Sequence, residues 1–302
     1  MMTEIERIIE KGVIAEDFLK EEVKNDFLIT TERKKLWAVI LDLLLELDRV
    51  CKKNGLKYFF DGGSLIGAIR HKGFIPWDDD LDVCMPREDY EKFISLSYDF
   101  NYPYFLQTPY TDSEYFYGFA KIRNSNTTGI VEMFKFQQFN HGIWISVFPL
   151  DYWDKDAENE YEIIKSLNIE NSTYMRMSNP FLDEKNLERV KRYSGRNPLE
   201  TYEEIQRRAQ QFNSIGATYV TAAVSSVLSY RKKLWFADDF SSAILADFEG
   251  YKVPIPIGYD RILKIVFGDY MQLPPIEERG LHHSGTLFDA DKPYTEYINN
   301  LS

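Results

Sequence analysis

The sequence predicts an α+β fold, with a mixed β-sheet flanked by helices and a mainly helical insertion. Three observations carry this. Residues Thr31–Asn54 repeat their apolar side chains with helical period, residues 80–85 and 143–148 carry strand signatures, and residues 151–230 are charged and helix-favouring. With 302 residues, 44% of them hydrophobic and 28% charged, the chain lies in the ordinary globular range and has ample material for a core.

Along Thr31–Asn54 the residues Leu36, Ile40, Leu43, Leu44, Leu47 and Val50 recur at spacings of three and four with charges between them, which predicts an amphipathic helix. Thr31 is placed to cap its start, and Asn54-Gly55 to stop it in the left-handed conformation. Residues 57–60 read as a short strand. Asp61-Gly62-Gly63-Ser64 then turns the chain into a helix over 65–70 whose first turn carries the Gly and Ser amides. After a loop closed by Gly73 and Pro76, Asp80-Leu81-Asp82-Val83-Cys84-Met85 alternates with period two. That points Leu81, Val83 and Met85 at the core and Asp80, Asp82 and Cys84 at the opposite face. Pro86-Arg87-Glu88-Asp89 suits a first helical turn, with the acids near the positive end of the helix dipole. Residues 115–122 and 143–148 are two further predicted strands, the second ended by Pro149. Val253-Pro254-Ile255-Pro256-Ile257-Gly258 reads as turns, and residues 259–267 as a short helix.

Bulk charge narrows the function. A net charge of -12 opposes passive binding along a nucleic-acid backbone, which needs a basic surface. The two cysteines, Cys51 and Cys84, are too few for a disulfide framework and are expected as packed thiols. The N-terminus is acidic and polar, and no run approaches the ~20 apolar residues that span a bilayer, so a cytoplasmic location is expected.

The chemistry concentrates in one stretch. Strand period sets Asp80 beside Asp82, and Asp78 and Asp79 precede them directly. Two carboxylates ~4 Å apart repel by roughly 4 kcal/mol at an effective dielectric of ~20, so either protons or a cation must sit among them. Hard oxygen ligands favour Mg²⁺ or Mn²⁺ over zinc. Taken alone, an Asp-Asp-Asp-x-Asp run reads first as a solvated acidic turn. The upstream Gly63-Ser64 at a helix start suits a phosphate, and Arg70 can supply a bidentate grip. A phosphate cradle and a metal cluster about fifteen residues apart meet the needs of phosphoryl transfer.

The run Phe60-Asp61-Gly62-Gly63-Ser64-Leu65-Ile66-Gly67-Ala68-Ile69-Arg70-His71-Lys72-Gly73-Phe74-Ile75-Pro76-Trp77-Asp78-Asp79-Asp80-Leu81-Asp82 resembles the signature of the LicD family, whose wider relatives include fukutin-type ribitol-phosphate transferases. Further likeness lies at Ala120-Lys121-Ile122-Arg123-Asn124, at Gly142-Ile143-Trp144-Ile145 with Val147-Phe148-Pro149-Leu150-Asp151, and at Phe267-Gly268-Asp269-Tyr270-Met271. It spans roughly residues 32–283 and is loose over 155–230. The resemblance implies a nucleotidyltransferase core similar to that of DNA polymerase β. It also implies transfer of a phospho-alcohol group, above all phosphocholine from CDP-choline, to teichoic acid, lipopolysaccharide or capsule glycans. Gly63 and Ser64 would then hold donor phosphate. Asp80 and Asp82 would bind metal with Asp78 assisting, and Lys121 and Arg123 would be basic residues on the nucleotide side. A lipid-linked acceptor would bring the protein into contact with the inner membrane face.

The implied division is an N-terminal helical extension over 1–30, a nucleotidyltransferase-like catalytic core over 31–151, a mainly helical segment over 152–235 and a C-terminal segment over 236–302 packing back on the core. Two positions depart from the family pattern. Ser146 stands where a third carboxylate is expected, on the face of Trp144 and Phe148, and Asn124 stands where Asp is common. A relocated base, with His141 and Asp151 as candidates, and a non-catalytic nucleotide- or glycan-binding relative both remain open at this point. So does a transferase that keeps the nucleoside monophosphate. The aromatics Tyr117, Phe119, Trp144 and Trp235 are candidates either for a quaternary-ammonium cage or for plain core. His282-His283, in a polar tail, reads as solvent-exposed and is left outside the site.

Overall fold

The computed structural model describes residues 2–193, 195, 197–224, 232, 234–280, 283 and 285–298. Helix α1 (Glu4–Glu10), a 3-10 turn at Glu16–Leu19 and a hairpin of β1 (Glu22–Lys24) and β2 (Phe27–Ile29) lead into the long helix α2 (Thr31–Asn54). Its cap is Thr30 rather than Thr31. Thr30 is still extended, and its hydroxyl accepts the Arg33 amide, while Thr31 already has a helical backbone; Gly55 ends the helix at φ 65° as expected. The middle of α2 is buried all round, from Leu36 to Leu44, because the N-terminal segment covers the side that the sheet leaves free. Asp42 is therefore wholly buried on α2, and Arg7, Lys11 and Tyr104 close around its carboxylate.

Next come β3 (Phe59–Phe60) and α3 (Gly62–Ile66), which runs on through a π-helical turn at Gly67–His71. β4 (Asp82–Pro86), α4 (Arg87–Ile94), β5 (Tyr104–Gln107), β6 (Ala120–Asn124), β7 (Thr128–Val131) and β8 (Ile143–Trp153) follow. Helices α5 (Glu158–Tyr174), α6 (Glu184–Tyr193) and α7 (Pro198–Ala209) form an excursion before β9 (Tyr219–Thr221) and β10 (Trp235–Phe236) rejoin the sheet. A hairpin of β11 (Ala243–Phe248) and β12 (Tyr251–Pro256), helix α8 (Tyr259–Phe267), β13 (Thr286–Asp289) and α9 (Thr295–Ile298) complete the fold.

The sheet is mixed, as expected: β4 runs parallel to β8, and the other pairings are antiparallel. The alternation predicted for 80–85 holds. Leu81, Val83 and Met85 join Ile143, Ile145 and Val147 in the main core beneath α2, whereas Cys84 packs with Phe59, Phe148 and Trp235 on the other face. Three expectations need correction. The strand predicted over 115–122 begins only at Ala120. β8 does not stop at Pro149, because its outer edge pairs with β6 up to Val147 and with β9 from Asp151, and the proline falls in the gap between those two ladders, where no amide is required. Residues 251–256 form a strand rather than turns, since a two-stranded hairpin has free edges that tolerate Pro254 and Pro256.

The Asn at position 124 has a structural counterpart in the N-terminal segment. Its Nδ2 donates to Glu4 Oε1 at 2.6 Å, and Asn126 Nδ2 donates to Oε2 at 3.0 Å. Burial works to raise the Glu4 pKa, but hydrogen bonds from Arg7, Asn124 and Asn126 outweigh it and hold the carboxylate below its ordinary range. Asn124→Asp would set two buried carboxylates against each other. Urea unfolding should show a loss of about 1–3 kcal/mol that Glu4→Gln in the same chain restores. A loss unaffected by Glu4→Gln would remove this pairing as its cause.

Candidate active site

The carboxylate segment is pinned by its main chain. Arg33 Nη1 and Trp37 Nε1, one turn apart on α2, both donate to the Asp78 carbonyl, at 2.7 and 3.0 Å. Asp82 is held from two sides: its amide donates to Ser64 Oγ at 2.9 Å, and its carbonyl accepts from the Asp61 amide at 3.0 Å. Both glycines of the turn are dictated locally. Gly62 has φ +54°, and a Cβ on Gly63 would lie 2.9 Å from Asp78 Oδ2.

Strand register then builds the site across three strands. Ser146 on β8 pairs with Asp82 on β4 and with Lys121 on β6, so carboxylate, hydroxyl and ammonium stand side by side on the face opposite α2. They open onto a cavity of about 1220 Å³ that is also lined by Asp61, Gly63, Asp78, Asp80, Trp144 and His283. Asp78 and Asp80 bear on each other's titration on the same wall. Burial, then repulsion from Asp79 and Asp82, pushes Asp78 up to about 7. Burial, then repulsion from Asp80 and Asp61, pushes Asp82 up to about 8, although the Ser146 hydroxyl works against the rise. Burial and the neighbouring Asp78 likewise raise Asp80. Asp79 behaves oppositely: burial acts to raise it, but His283 prevails and holds it below the ordinary value.

His283 belongs to this cluster, contrary to the expectation that it lies in solvent; His282 falls outside the described residues. Its Nδ1 is 2.9 Å from Asp79 Oδ1 and 3.8 Å from Asp80 Oδ2, and its ring meets Trp144 edge-on at 5.5 Å. β13 carries it there by pairing with β7, a long-range contact with no local signature in the sequence. Asp79, Asp80 and His283 offer ligand atoms within 4.8 Å of one another, and Asp78, Asp80 and Asp82 offer oxygen donors to the cavity. Crowded, proton-retaining carboxylates fit a hard divalent cation, which would take the place of those protons.

The basic residues divide by role. Among the described residues Lys121 forms no ion pair; its Nζ lies 4.0 Å above the Trp144 ring centre and 5.6 Å from that of Tyr117. Burial and the nearby Arg123 depress its pKa well below the ordinary value, against the pull of Asp82 and Asp80. Arg123 is committed to Gln107 Oε1 at 2.5 Å and to the Gly142 carbonyl at 2.6 Å. Arg70 lines the cavity, but its Nη1 donates to the Tyr270 and Gln272 carbonyls, at 2.6 and 3.1 Å, and so fixes the rim. Ser64 is spent on the Asp82 amide and does not line the cavity. Of the two candidate relocated bases, Asp151 is locked in a buried bidentate pair with Arg87, at 2.7 and 2.6 Å, and also accepts from Asn213 at 2.8 Å, away from the cavity. His141 reaches the cavity wall with Nε2 3.0 Å from the Gln137 carbonyl, and burial, then Arg123, lowers its pKa to about 3, so it is neutral.

Known proteins share stretches of this sequence. Residues 55–180, the stretch from β3 through α5, match the family model described as LicD/FKTN/FKRP, nucleotidyltransferase domain. The chain is 26% identical over 251 residues to the lipopolysaccharide cholinephosphotransferase LicD of Haemophilus influenzae, covering 81% of this chain and 93% of that protein. It is 48% identical over 40 residues to the ribitol 5-phosphate transferase FKRP of Homo sapiens, 13% of this chain and 8% of that protein. An uncharacterized protein of Rickettsia typhi matches at 41% over 59 residues, 20% of this chain and 18% of its own. With the Gly-Ser turn, the acidic strand and the β6–β8 pair all inside the matched span, residues 55–180 match the LicD nucleotidyltransferase domain, and the chain is a homologue of phosphotransferases that carry it.

Proposed function

We propose that this protein transfers a phospho-alcohol group, phosphocholine from CDP-choline in the first instance, onto a glycan precursor of the cell surface such as teichoic acid, lipopolysaccharide or capsule. The observation that carries the reading is the row Asp82–Ser146–Lys121 beside Asp78 and Asp80, a carboxylate cluster and a buried lysine, without an ion pair among the described residues, on one cavity wall. The likeness to a lipopolysaccharide cholinephosphotransferase over 93% of its length supports the choice of donor and acceptor classes. On this reading the core is of the nucleotidyltransferase type. The lipid-linked acceptor is met at the inner membrane face by a cytoplasmic protein; no helix among the described residues is long and apolar enough to cross a membrane.

Asp78, Asp80 and Asp82 would hold Mg²⁺ or Mn²⁺, which when bound neutralises phosphate oxygens. Lys121 places its amine on the same wall, where the donor diphosphate would pair with it in its charged form. The Gly63 main chain lines the adjoining wall of the cavity. An acceptor hydroxyl attacks the distal phosphorus, its proton passes to a carboxylate oxygen of the cluster, and the bond to the bridging oxygen breaks to release CMP. Ser146 hydrogen-bonds to Asp82 but offers no carboxylate of its own, so it orients the acid rather than replacing a base. For choline, Lys121 already occupies the faces of Trp144 and Tyr117, which leaves Phe119, Phe148 and Trp235 as the aromatic wall for a quaternary ammonium.

Two measurements test this. In a CMP-release assay with CDP-choline and Mg²⁺, Asp80→Ala and Asp82→Ala should each lose at least roughly 10²-fold in rate, and Ser146→Asp should gain. Undiminished CMP release from both alanine variants would overturn the assignment. The second is thermal stability. Asp78 and Asp82 keep folded-state pKa values of about 7 and about 8 against an ordinary 3.8, so the folded protein retains protons that the unfolded chain has lost. Metal-free stability should therefore fall as pH rises from about 4 to about 8. Mg²⁺ should raise Tm more at pH 8 than at pH 5, and the gain should vanish in an Asp80→Asn, Asp82→Asn double variant.

A further inference from the structure

The acidic wall continues past Asp82 on the side away from Ser146. Phe60 on β3 faces Val83 on β4, and the next residue, Asp61, donates its amide to the Asp82 carbonyl at 3.0 Å, so the two aspartates stand directly opposite each other. Residues so placed project to one face, with Cβ atoms about 5 Å apart. Ser146 and then Lys121 follow on the other side of Asp82, which makes one row across four chain segments, Asp61, Asp82, Ser146 and Lys121. All four line the cavity, and Asp61 is 6% and Lys121 7% exposed. Among the described residues the Lys121 amine has neither an ion pair nor a hydrogen bond and meets only the rings of Trp144 and Tyr117. A buried polar group left without a partner at a cavity wall is open to a ligand, and for this amine the ligand is an anion.

Asp61 has few commitments of its own. It precedes α3, and its Oδ1 accepts the Gly62 amide at 2.8 Å. A capping side chain ordinarily reaches the amide of the second or third helical residue, whereas this one stops at the first. Among the described residues its Oδ2 accepts no hydrogen bond and no lysine or arginine pairs with it, in contrast to buried Asp42 and Asp151, which are each met by a cation. We propose that Asp61 is a direct ligand of the divalent cation, completing the site on the flank opposite Ser146. The proposal rests on the cation-dependent transfer put forward above and adds a ligand to it. Mg²⁺ and Mn²⁺ draw on hard oxygen donors, and of the two residues flanking Asp82 in the row Ser146 brings only a hydroxyl. The negative charge on that row therefore comes from Asp61, and the row offers a cation at one end and an amine at the other.

Titration of the full chain with Mn²⁺, followed through the electron paramagnetic resonance signal of the free ion, tests the assignment. Asp61→Asn keeps an oxygen for the Gly62 amide and removes the charge, so it should weaken Mn²⁺ by roughly tenfold or more while the metal-free Tm stays at or above that of the parent chain. Asp61→Ser, which keeps a hydroxyl for the same amide, should act alike and carries the test if Asp61→Asn fails to fold. Adding Ser146→Asp to Asp61→Asn returns a carboxylate to the other flank of Asp82 and should recover most of the lost affinity. Mn²⁺ binding that is unchanged in Asp61→Asn but weakened in Asp80→Asn confines Asp61 to its turn and overturns the proposal while the cation site stands. A lowered metal-free Tm in both Asp61 variants, with no recovery on adding Ser146→Asp, marks a structural loss and overturns it as well. A parent chain that takes up no Mn²⁺ overturns the cation reading and the proposal together.

Discussion

Repulsion among carboxylates taken out of water is the constraint around which this molecule is arranged. Asp78, Asp80 and Asp82 meet at a half-enclosed wall, where main-chain anchors hold the segment and His283 stands 3.8 Å from Asp80. Arg33 and Trp37 grip a carbonyl, Ser64 grips an amide, and Gly63 yields the space that an Asp78 oxygen fills. The geometry is thereby fixed while burial and mutual repulsion make the carboxyls hold protons that a bound cation can replace.

Acids elsewhere in the fold are treated in the opposite way. Asp42, wholly buried on α2, is surrounded by Arg7, Lys11 and Tyr104, and Asp151 is held by Arg87 and Asn213. Such pairs tie the N-terminal segment to α2, and α4 to β8, where breaking one partner would strand a buried charge. The basic residues differ in the same way: Arg123 is committed to Gln107 and the Gly142 carbonyl and Arg70 to the Tyr270 and Gln272 carbonyls, whereas Lys121 forms no ion pair among the described residues.

Much of the site is local in sequence and was legible there. The Gly62-Gly63 turn, the acidic run and the period-two faces of residues 80–85 and 143–148 each depend on neighbours within a few positions, and the strand faces emerge as read. The Thr30 cap was missed by one residue, an offset smaller than sequence patterns resolve. What stayed hidden depends on contacts distant in the chain. Nothing near His283 announces that β13 will lay it against Asp79, and nothing near Arg70 announces the Tyr270 and Gln272 carbonyls that absorb its charge. The extent of β8 was misjudged for a related reason, because Pro149 is tolerated only by virtue of which strands lie beside it.

That handover along β8 has an architectural result. The chain leaves the sheet after Trp153 and returns at Tyr219, and these two residues are direct partners across the β8–β9 ladder. Whatever lies between them begins and ends at one stitch, so lengthening or shortening it adds little closure entropy. The helices above the cavity are then seated on the frame by their own side chains, Gln206 bridging Arg87 and the Gly118 carbonyl and Asn171 donating to the Phe116 carbonyl, so the roof's position answers to those few bonds.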